Sequence, residues 1–199
     1  MSTNDWLVDG DRHAVAVERI YDAASDMIAE HGFNSLNIDK LCQKVHCSRA
    51  TIYRYVGGKN EIRNVVLARA AARIADAVRE ELEHLSGRER LVSSIILSLQ
   101  KVRCDPVGKV MIASIRGGTG EVAWLAKSPL LADVATELAG LAGGDPQAAE
   151  WVVRVVLSLM FWPGQDEDAE RQLVERFVAP AFEQSQRAAD QSVGAVSPT

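Results

Sequence analysis

Arg49, Thr51, Tyr53, Arg54, Tyr55 and Lys59 crowd into one short stretch of the chain. Their shared chemistry is hydrogen bonding to a polyanion. An arginine offers two parallel N–H donors that match O6 and N7 of guanine, and a threonine methyl can meet the methyl of thymine. Tyrosine hydroxyls and a lysine ammonium suit phosphate oxygens. Between Ile38 and Arg63, six basic residues (Lys40, Lys44, Arg49, Arg54, Lys59, Arg63) stand against two acidic ones (Asp39, Glu61). The local balance is +4 in a chain whose net charge is −5. One basic island on an acidic protein points to a localised polyanion contact. Such a stretch can also be a plain solvated hairpin. Two tyrosines flanking an arginine on so short a helix favour a contact surface.

Two short helices must position these groups. In NIDKLCQKVHCSRATIYRYVGGK (residues 37–59), Ile38, Leu41, Cys42 and Val45 recur at helical spacing and share one face. Asn37 precedes them as an N-cap and joins the DNA-facing set. His46 and Cys47 break the pattern. Ser48 caps a second helix, Arg49 to Val56, which Gly57-Gly58 ends. Ala50, Ile52 and Val56 are its apolar positions. Two helices joined by so tight a turn form a helix-turn-helix, whose second helix enters the DNA major groove.

The segment from Arg19, RIYDAASDMIAEHGFNSLNIDKLCQKVHCSRATIYRYVGGKNEI, resembles the N-terminal domain of the TetR family of bacterial transcriptional regulators. The marks are an amphipathic first helix ending in His31-Gly32-Phe33, the two helices, Tyr53-Arg54-Tyr55, and Gly58-Lys59-Asn60-Glu61. They cover about a quarter of the chain. Two positions depart from the pattern. His46 stands where the turn usually has Gly; histidine tolerates a left-handed backbone better than most residues, so strain is expected and not disruption. Val56 stands where Phe is commoner, which predicts a slightly looser core. The resemblance implies an all-α protein in two domains. An N-terminal three-helix helix-turn-helix DNA-binding domain (1–59) precedes a helical ligand-binding and dimerisation domain (60–199). It also implies a homodimer, double-stranded operator DNA and a small-molecule effector as partners.

Composition sets the bounds. The 199 residues are 47% hydrophobic and 25% charged, ordinary for a globular chain. The longest apolar run, Val152 to Trp162, is interrupted by Arg154 and Ser158, so no membrane span is expected. The N-terminus is acidic and does not read as a secretory signal. Three irregularly spaced cysteines argue against a disulfide framework and for a reducing cytoplasm.

The rest of the chain reads as helices. Met1 to Gly10 is expected to be a loose arm, with Trp6 and Leu7 docking on the body. A helix from Asp11 to His31 buries Val17, Ile20, Ala24, Met27 and Ile28. Asn60 to Leu85 forms one long helix that leads away from the basic island; Arg69 is the exception on its apolar stripe. A helix from Arg88 to Arg103 follows. Asp105-Pro106, Ser128-Pro129 and Asp145-Pro146 share one start signal, a capping residue before a proline. Gly117-Gly118, Gly143-Gly144 and Trp162-Pro163-Gly164 are the expected stops. The last helix, Asp166 to Arg187, should kink at Pro180. The tail from Ser192 to Thr199 is expected to be disordered. No segment alternates as a strand.

Further sites follow from helix faces. The helix from Pro146 to Trp162 is apolar nearly all round and must be covered all round. A second copy can cover part of it through Val153, Leu157 and Phe161, together with Leu173 and Phe177 of the last helix, whose spacing also includes Val178 and Phe182. TetR-like proteins dimerise through such a four-helix seam. If the resemblance carries over, Cys104, Met111, Ile115, Trp124, Trp151, Arg154 and Ser158 line an effector pocket. Trp and Met suit an apolar, adaptable wall, though each is as readily plain core. Arg154 can pair with an anionic ligand group or with a structural carboxylate. Cys42, His46 and Cys47 do not supply the three or four fixed ligands of a metal site, and Cys42 falls on an apolar face. No metal and no cofactor are expected. Gly117-Gly118-Thr119-Gly120 lacks the strand and lysine of a phosphate loop, and no nucleophile, base and acid stand together. The sequence therefore predicts no enzyme.

The expected function is a transcriptional repressor released from its operator by a small ligand. A DNA-binding dimer without a ligand, or a helical binding protein with a vestigial helix-turn-helix, remain the alternatives.

Overall fold

The structure, a computed structural model, describes residues 5–116, 129–141 and 145–182, with side chains for residues 13–114 of the first span. Among these residues every regular element is helical, as the all-α expectation required. The side chains of Trp6 and Leu7, the glycine pairs 117–118 and 143–144, Ser128 and the tail from Ser192 lie outside the described residues.

The chain divides into two compact units, Met1–Ala70 and Ala71–Thr199. In the first, helix α1 (Asp5–His31) begins earlier than the expected Asp11, so the acidic arm is helical from Asp5. Acids in a first turn are stabilised by the helix dipole, and Gly10 costs only about 1 kcal/mol within a helix. Ile20, Ala24, Met27 and Ile28 are buried on its inner face. Gly32 (φ +85) turns the chain. Ser35 Oγ then donates to the carbonyls of Met27 (3.1 Å) and Gly32 (2.6 Å). Helices α2 (Ile38–Val45) and α3 (Arg49–Val56) follow, and both pack on α1.

Helix α4 (Lys59–Leu82) crosses the division between the units, which falls inside it and not at the expected 59/60. Its first turns belong with the first unit: Ile62, Val66 and Ala70 are buried. Arg69, the misfit on the apolar stripe, holds Glu18 of α1 through two 2.7 Å hydrogen bonds. Its guanidinium lies 4.4 Å from the Tyr21 ring centroid. Arg69 therefore serves as a clamp where an apolar residue was expected to pack.

The second unit is built on helix α5 (Gly87–Cys104). Leu91, Val92, Ile95, Ile96 and Leu99 are buried along it, and it packs against α6 (Pro106–Arg116), α7 (Pro129–Ala139), α8 (Pro146–Phe161) and α9 (Glu167–Leu173). All three expected proline starts hold. Asp105 accepts the N–H of Val107 and Gly108, both at 2.9 Å. Asp145 accepts those of Gln147 and Ala148. Helix α7 stops before the expected glycine pair, at Gly140 (φ +63), where Leu141 N–H reaches back to the Thr136 carbonyl at 3.1 Å. A left-handed glycine with this backward bond closes a helix without leaving carbonyls unpaired. Arg90 donates to the carbonyls of Leu82 and Glu137, at the ends of α4 and α7.

Gly108 marks the tightest approach. A Cβ there would stand 2.3 Å from the Val102 carbonyl oxygen, which is backbone and cannot swing away. Gly108→Ala is expected to cost about 1–3 kcal/mol by overpacking. Urea denaturation checks this, as a lower midpoint at unchanged slope.

The last helix departs from expectation near its proline. After Leu173 the chain widens into a π turn, Val174–Val178, closed by Ala179 N–H on the Val174 carbonyl. In that register residue 180 would donate to Glu175, but proline has no N–H. The Arg88 side chain donates to the Glu175 carbonyl instead, at 2.6 Å. The expected kink is thus a π turn placed before Pro180, a known way for a helix to absorb a break.

Candidate nucleic-acid interface

Each end of the helix pair is fixed by local hydrogen bonds. Asn37 Oδ1 accepts the N–H of Asp39 (2.8 Å) and Lys40 (3.2 Å), opening α2. Histidine 46 closes it in the left-handed region, φ 56 and ψ 47, as expected. Among the described residues no other non-glycine has positive φ. Cys47 N–H reaches the Cys42 carbonyl at 3.1 Å. Ser48 Oγ accepts the Thr51 N–H at 3.1 Å and lies 2.9 Å from Thr51 Oγ, opening α3. Gly57 (φ +78) ends α3, and Glu61 accepts the Gly58 N–H at 3.1 Å to start α4.

These caps fix which face of α3 points outward. Leu41, Ile52 and Val56 are buried, so the smaller valine still closes the core. Ala50, expected inside, is exposed. It sits on the first turn of α3, ahead of the buried Ile52 and Val56. Arg49, Tyr53 and Arg54 are exposed and Thr51 half-buried, with Tyr53 56% accessible. Tyr55 is half-buried. Its ring meets His13 of α1 edge-on at 4.3 Å, and Arg54 Nη2 donates to its hydroxyl at 3.1 Å. Tyr55 therefore braces α3 against α1. Lys59 Nζ donates to the Asn34 carbonyl at 3.3 Å. Asn37 spends its acceptor on capping.

Two acids that sequence reasoning left aside enter here. Asp26 of α1 pairs with Lys44 at 3.0 Å. Asp39, in the first turn of α2, accepts from Arg49 Nε. An acid inside a basic island was the available signal for the second pair. Cys42 and Cys47 are both half-buried. Burial first, and the neighbouring Cys42 second, push the Cys47 thiol above its ordinary range. A thiol held protonated is a poor nucleophile.

In the second unit the described effector candidates divide between core and surface. Met111 packs against the apolar cluster. Cys104 is exposed. Trp151, Arg154 and Ser158 lie on the exposed side of α8, with Arg154 paired to Glu150 at 2.6 Å. The Ile115 side chain and Trp124 lie outside the described residues. The seam candidates divide in the same way. Val153 is buried in its own core, Leu157 packs against it, and Phe161 is half-buried against Trp162. Helix α8 faces inward through Ala149, Val152, Val153 and Met160. Its outward strip carries Trp151 (48% accessible), with Trp162 (70%) just past its end, while the last helix exposes Leu173 (43%) and Phe177 (65%). Val178 and Phe182 are buried. Glu150, Arg154 and Ser158, four residues apart along this helix, were the available sequence signal, since Arg154 and Ser158 lie on its exposed side.

Comparison with known proteins places these features. Residues 20–66 match the model of the bacterial regulatory proteins of the tetR family. The HTH-type transcriptional regulator Rv1255c of Mycobacterium tuberculosis is 32% identical over 187 residues, covering 90% of this chain and 91% of that protein. The TetR family repressor AlkX from Dietzia sp. superposes with a TM-score of 0.60 at 18% identity, over 83% of this chain and 94% of its own. The transcriptional repressor QsdR of R. erythropolis gives 0.56 at 21% identity, over 85% and 95%. At those identities the two structures speak to the fold.

Proposed function

Because this chain belongs to the TetR family of bacterial regulatory proteins, we propose that it is a homodimeric repressor whose α3 reads an operator and whose second unit takes a small effector. It is a DNA-binding transcriptional regulator and not an enzyme. No helix among the described residues is long and apolar enough to cross a membrane, and the cytoplasm is the place where such a protein meets DNA.

One observation carries the DNA-facing assignment: capping fixes α3 so that Arg49, Thr51, Tyr53 and Arg54 face away from the core, within the basic island. Arg49 lies at the start of α3, where base edges are read. Lys59 and the tyrosine hydroxyls suit phosphates. Asn37 contributes mainly by capping α2. The test uses a duplex selected from random sequence by the wild-type protein. Arg49→Ala is expected to weaken binding to it by roughly 10- to 100-fold and to relax preference at one position. Lys59→Ala should weaken binding to all duplexes alike and flatten the salt slope by about one. Equal losses on selected and random DNA for Arg49→Ala would remove its role as a base reader.

For dimerisation the residues shift to the outward groups: Trp151 and Ser158 of α8 and Trp162 just past its end, with Leu173 and Phe177. For the effector, Met111 and Ile112, partly buried against the apolar cluster, suit contact with an apolar small molecule. The link between effector and DNA is α4. Arg69 ties its first half to Glu18, and Arg79 ties its second half to Glu137 of α7. A ligand that tilts α4 changes the separation of the two reading helices. Such coupling is typically about 1–3 kcal/mol and must be reciprocal. Once a thermal-shift screen yields a ligand, operator DNA should weaken its binding by the factor by which it weakens operator binding. Equal ligand affinity with and without operator would leave a DNA-binding dimer controlled in another way.

A further inference from the structure

We infer that Asp39 is a positioning residue that aims the Arg49 guanidinium at a base and so sets how sharply the protein discriminates its operator. This rests on Arg49 as a base reader. Asp39 sits in the first turn of α2 and Arg49 opens α3, so their hydrogen bond spans the turn of the helix-turn-helix. The caps flanking the two partners are already committed: Asn37 caps the start of α2 beside Asp39, and Ser48 caps the start of α3 beside Arg49. The backbone carrying both partners is therefore fixed by bonds independent of the pair.

The pair does little for the fold. Its side chains are 66% and 51% accessible, and ion pairs this exposed contribute little to stability. Its geometry bears on recognition. Asp39 takes the Nε–H of Arg49, leaving the two terminal nitrogens of the guanidinium, a fork that matches O6 and N7 of guanine. Arginine side chains carry large rotamer entropy. One already held loses less on binding, which favours the correct site. The carboxylate also opposes approach of phosphates, so wrong registers are penalised. Discrimination is a difference of two affinities, and a repulsive element raises it as surely as an attractive one.

The experiment measures affinity for the selected duplex, for its single-base variants and for random DNA, at one salt concentration. Full-length wild type, Asp39→Ala, Asp39→Glu, Arg49→Ala and the double variant Asp39→Ala/Arg49→Ala are compared. Asp39→Ala is expected to bind random DNA as well as or better than wild type, while its specificity ratio falls about tenfold. Asp39→Glu keeps the charge but moves the guanidinium, so its ratio should fall too. In the Arg49→Ala background, removing Asp39 should leave the ratio unchanged. A structural role for Asp39 would lower the ratio with or without Arg49, and that result overturns the inference. So does a rise in both affinities at constant ratio, which would make Asp39 only a competing anion. If Arg49→Ala itself keeps the wild-type ratio, the base-reader assignment fails first and the inference falls with it.

Discussion

Phe177→Glu is expected to leave a monomer that has lost its operator. Phe177 and Leu173 project from the last helix into solvent, as do Trp151 from α8 and Trp162 from just past its end. Burying one large apolar side chain yields roughly 1.5–3 kcal/mol, so four such groups are a strong motive for association. A carboxylate placed in that seam would be buried without a partner, which costs several kcal/mol. In the protomer the position is exposed, so the fold should survive and circular dichroism should be unchanged. A dimer on two half-sites makes the second contact within one complex, an advantage of about 10²–10⁴-fold. The variant should lose a factor in that range on the selected duplex and little on random DNA. Sedimentation checks the first step; a Phe177→Glu protein that remains a dimer would place the seam elsewhere.

Arg103→Met is expected to give the largest loss of stability. Glu170 is 2% accessible, yet it is charged. Arg103 of α5 holds it with two 2.7 Å hydrogen bonds, and Gly164 N–H adds a third at 3.0 Å. Arg103 also donates to the Leu159 carbonyl, so one guanidinium joins α5, the end of α8 and α9. Removing one partner of a buried pair costs about 3–5 kcal/mol. The lower end applies, because the Arg103 side chain is itself 33% accessible. The hydrogen bonds from Arg103 outweigh burial and hold the Glu170 carboxyl below the usual carboxylate range. A group so depressed contributes stability that is present above its unfolded pKa and lost as pH falls from there through its lowered folded pKa. In the variant, burial without Arg103 favours the protonated acid. The stability gap between wild type and Arg103→Met should therefore narrow on acidification. A constant gap from neutral to acid pH would show that Glu170 does not carry the effect.

What could be read beforehand was local. Asn37, Ser48, Asp105 and Asp145 act on N–H groups two or three residues away, so their roles follow from sequence spacing. The same holds for His46, whose left-handed turn is a property of two adjoining helices. Partners far apart in sequence were not legible. Arg69 read as a flaw in a stripe until Glu18 and Tyr21 came beside it. Arg103 and Glu170 are 67 residues apart in sequence. Val153 and Trp151 are both large and apolar, and packing divides them into core and surface, with Trp151 on the side of Arg154 and Ser158. At the DNA face, residue types named the chemistry. The Asp39–Arg49 pair, which decides how that chemistry is aimed, needed the turn in three dimensions.

As a homodimeric repressor the protein is expected to grip two half-sites at one fixed separation with two copies of the basic helix pair. Half-site spacing tests it most directly. A helix-turn-helix dimer reads half-sites about one DNA turn apart, roughly 10–10.5 base pairs, or a multiple of it. Inserting about five base pairs between the half-sites of the selected duplex carries one of them to the opposite face of the DNA. This insertion is expected to lower wild-type affinity to that of a duplex with a single half-site. Affinity that stays the same at every spacing would mean that each copy binds alone, and would contradict that expectation.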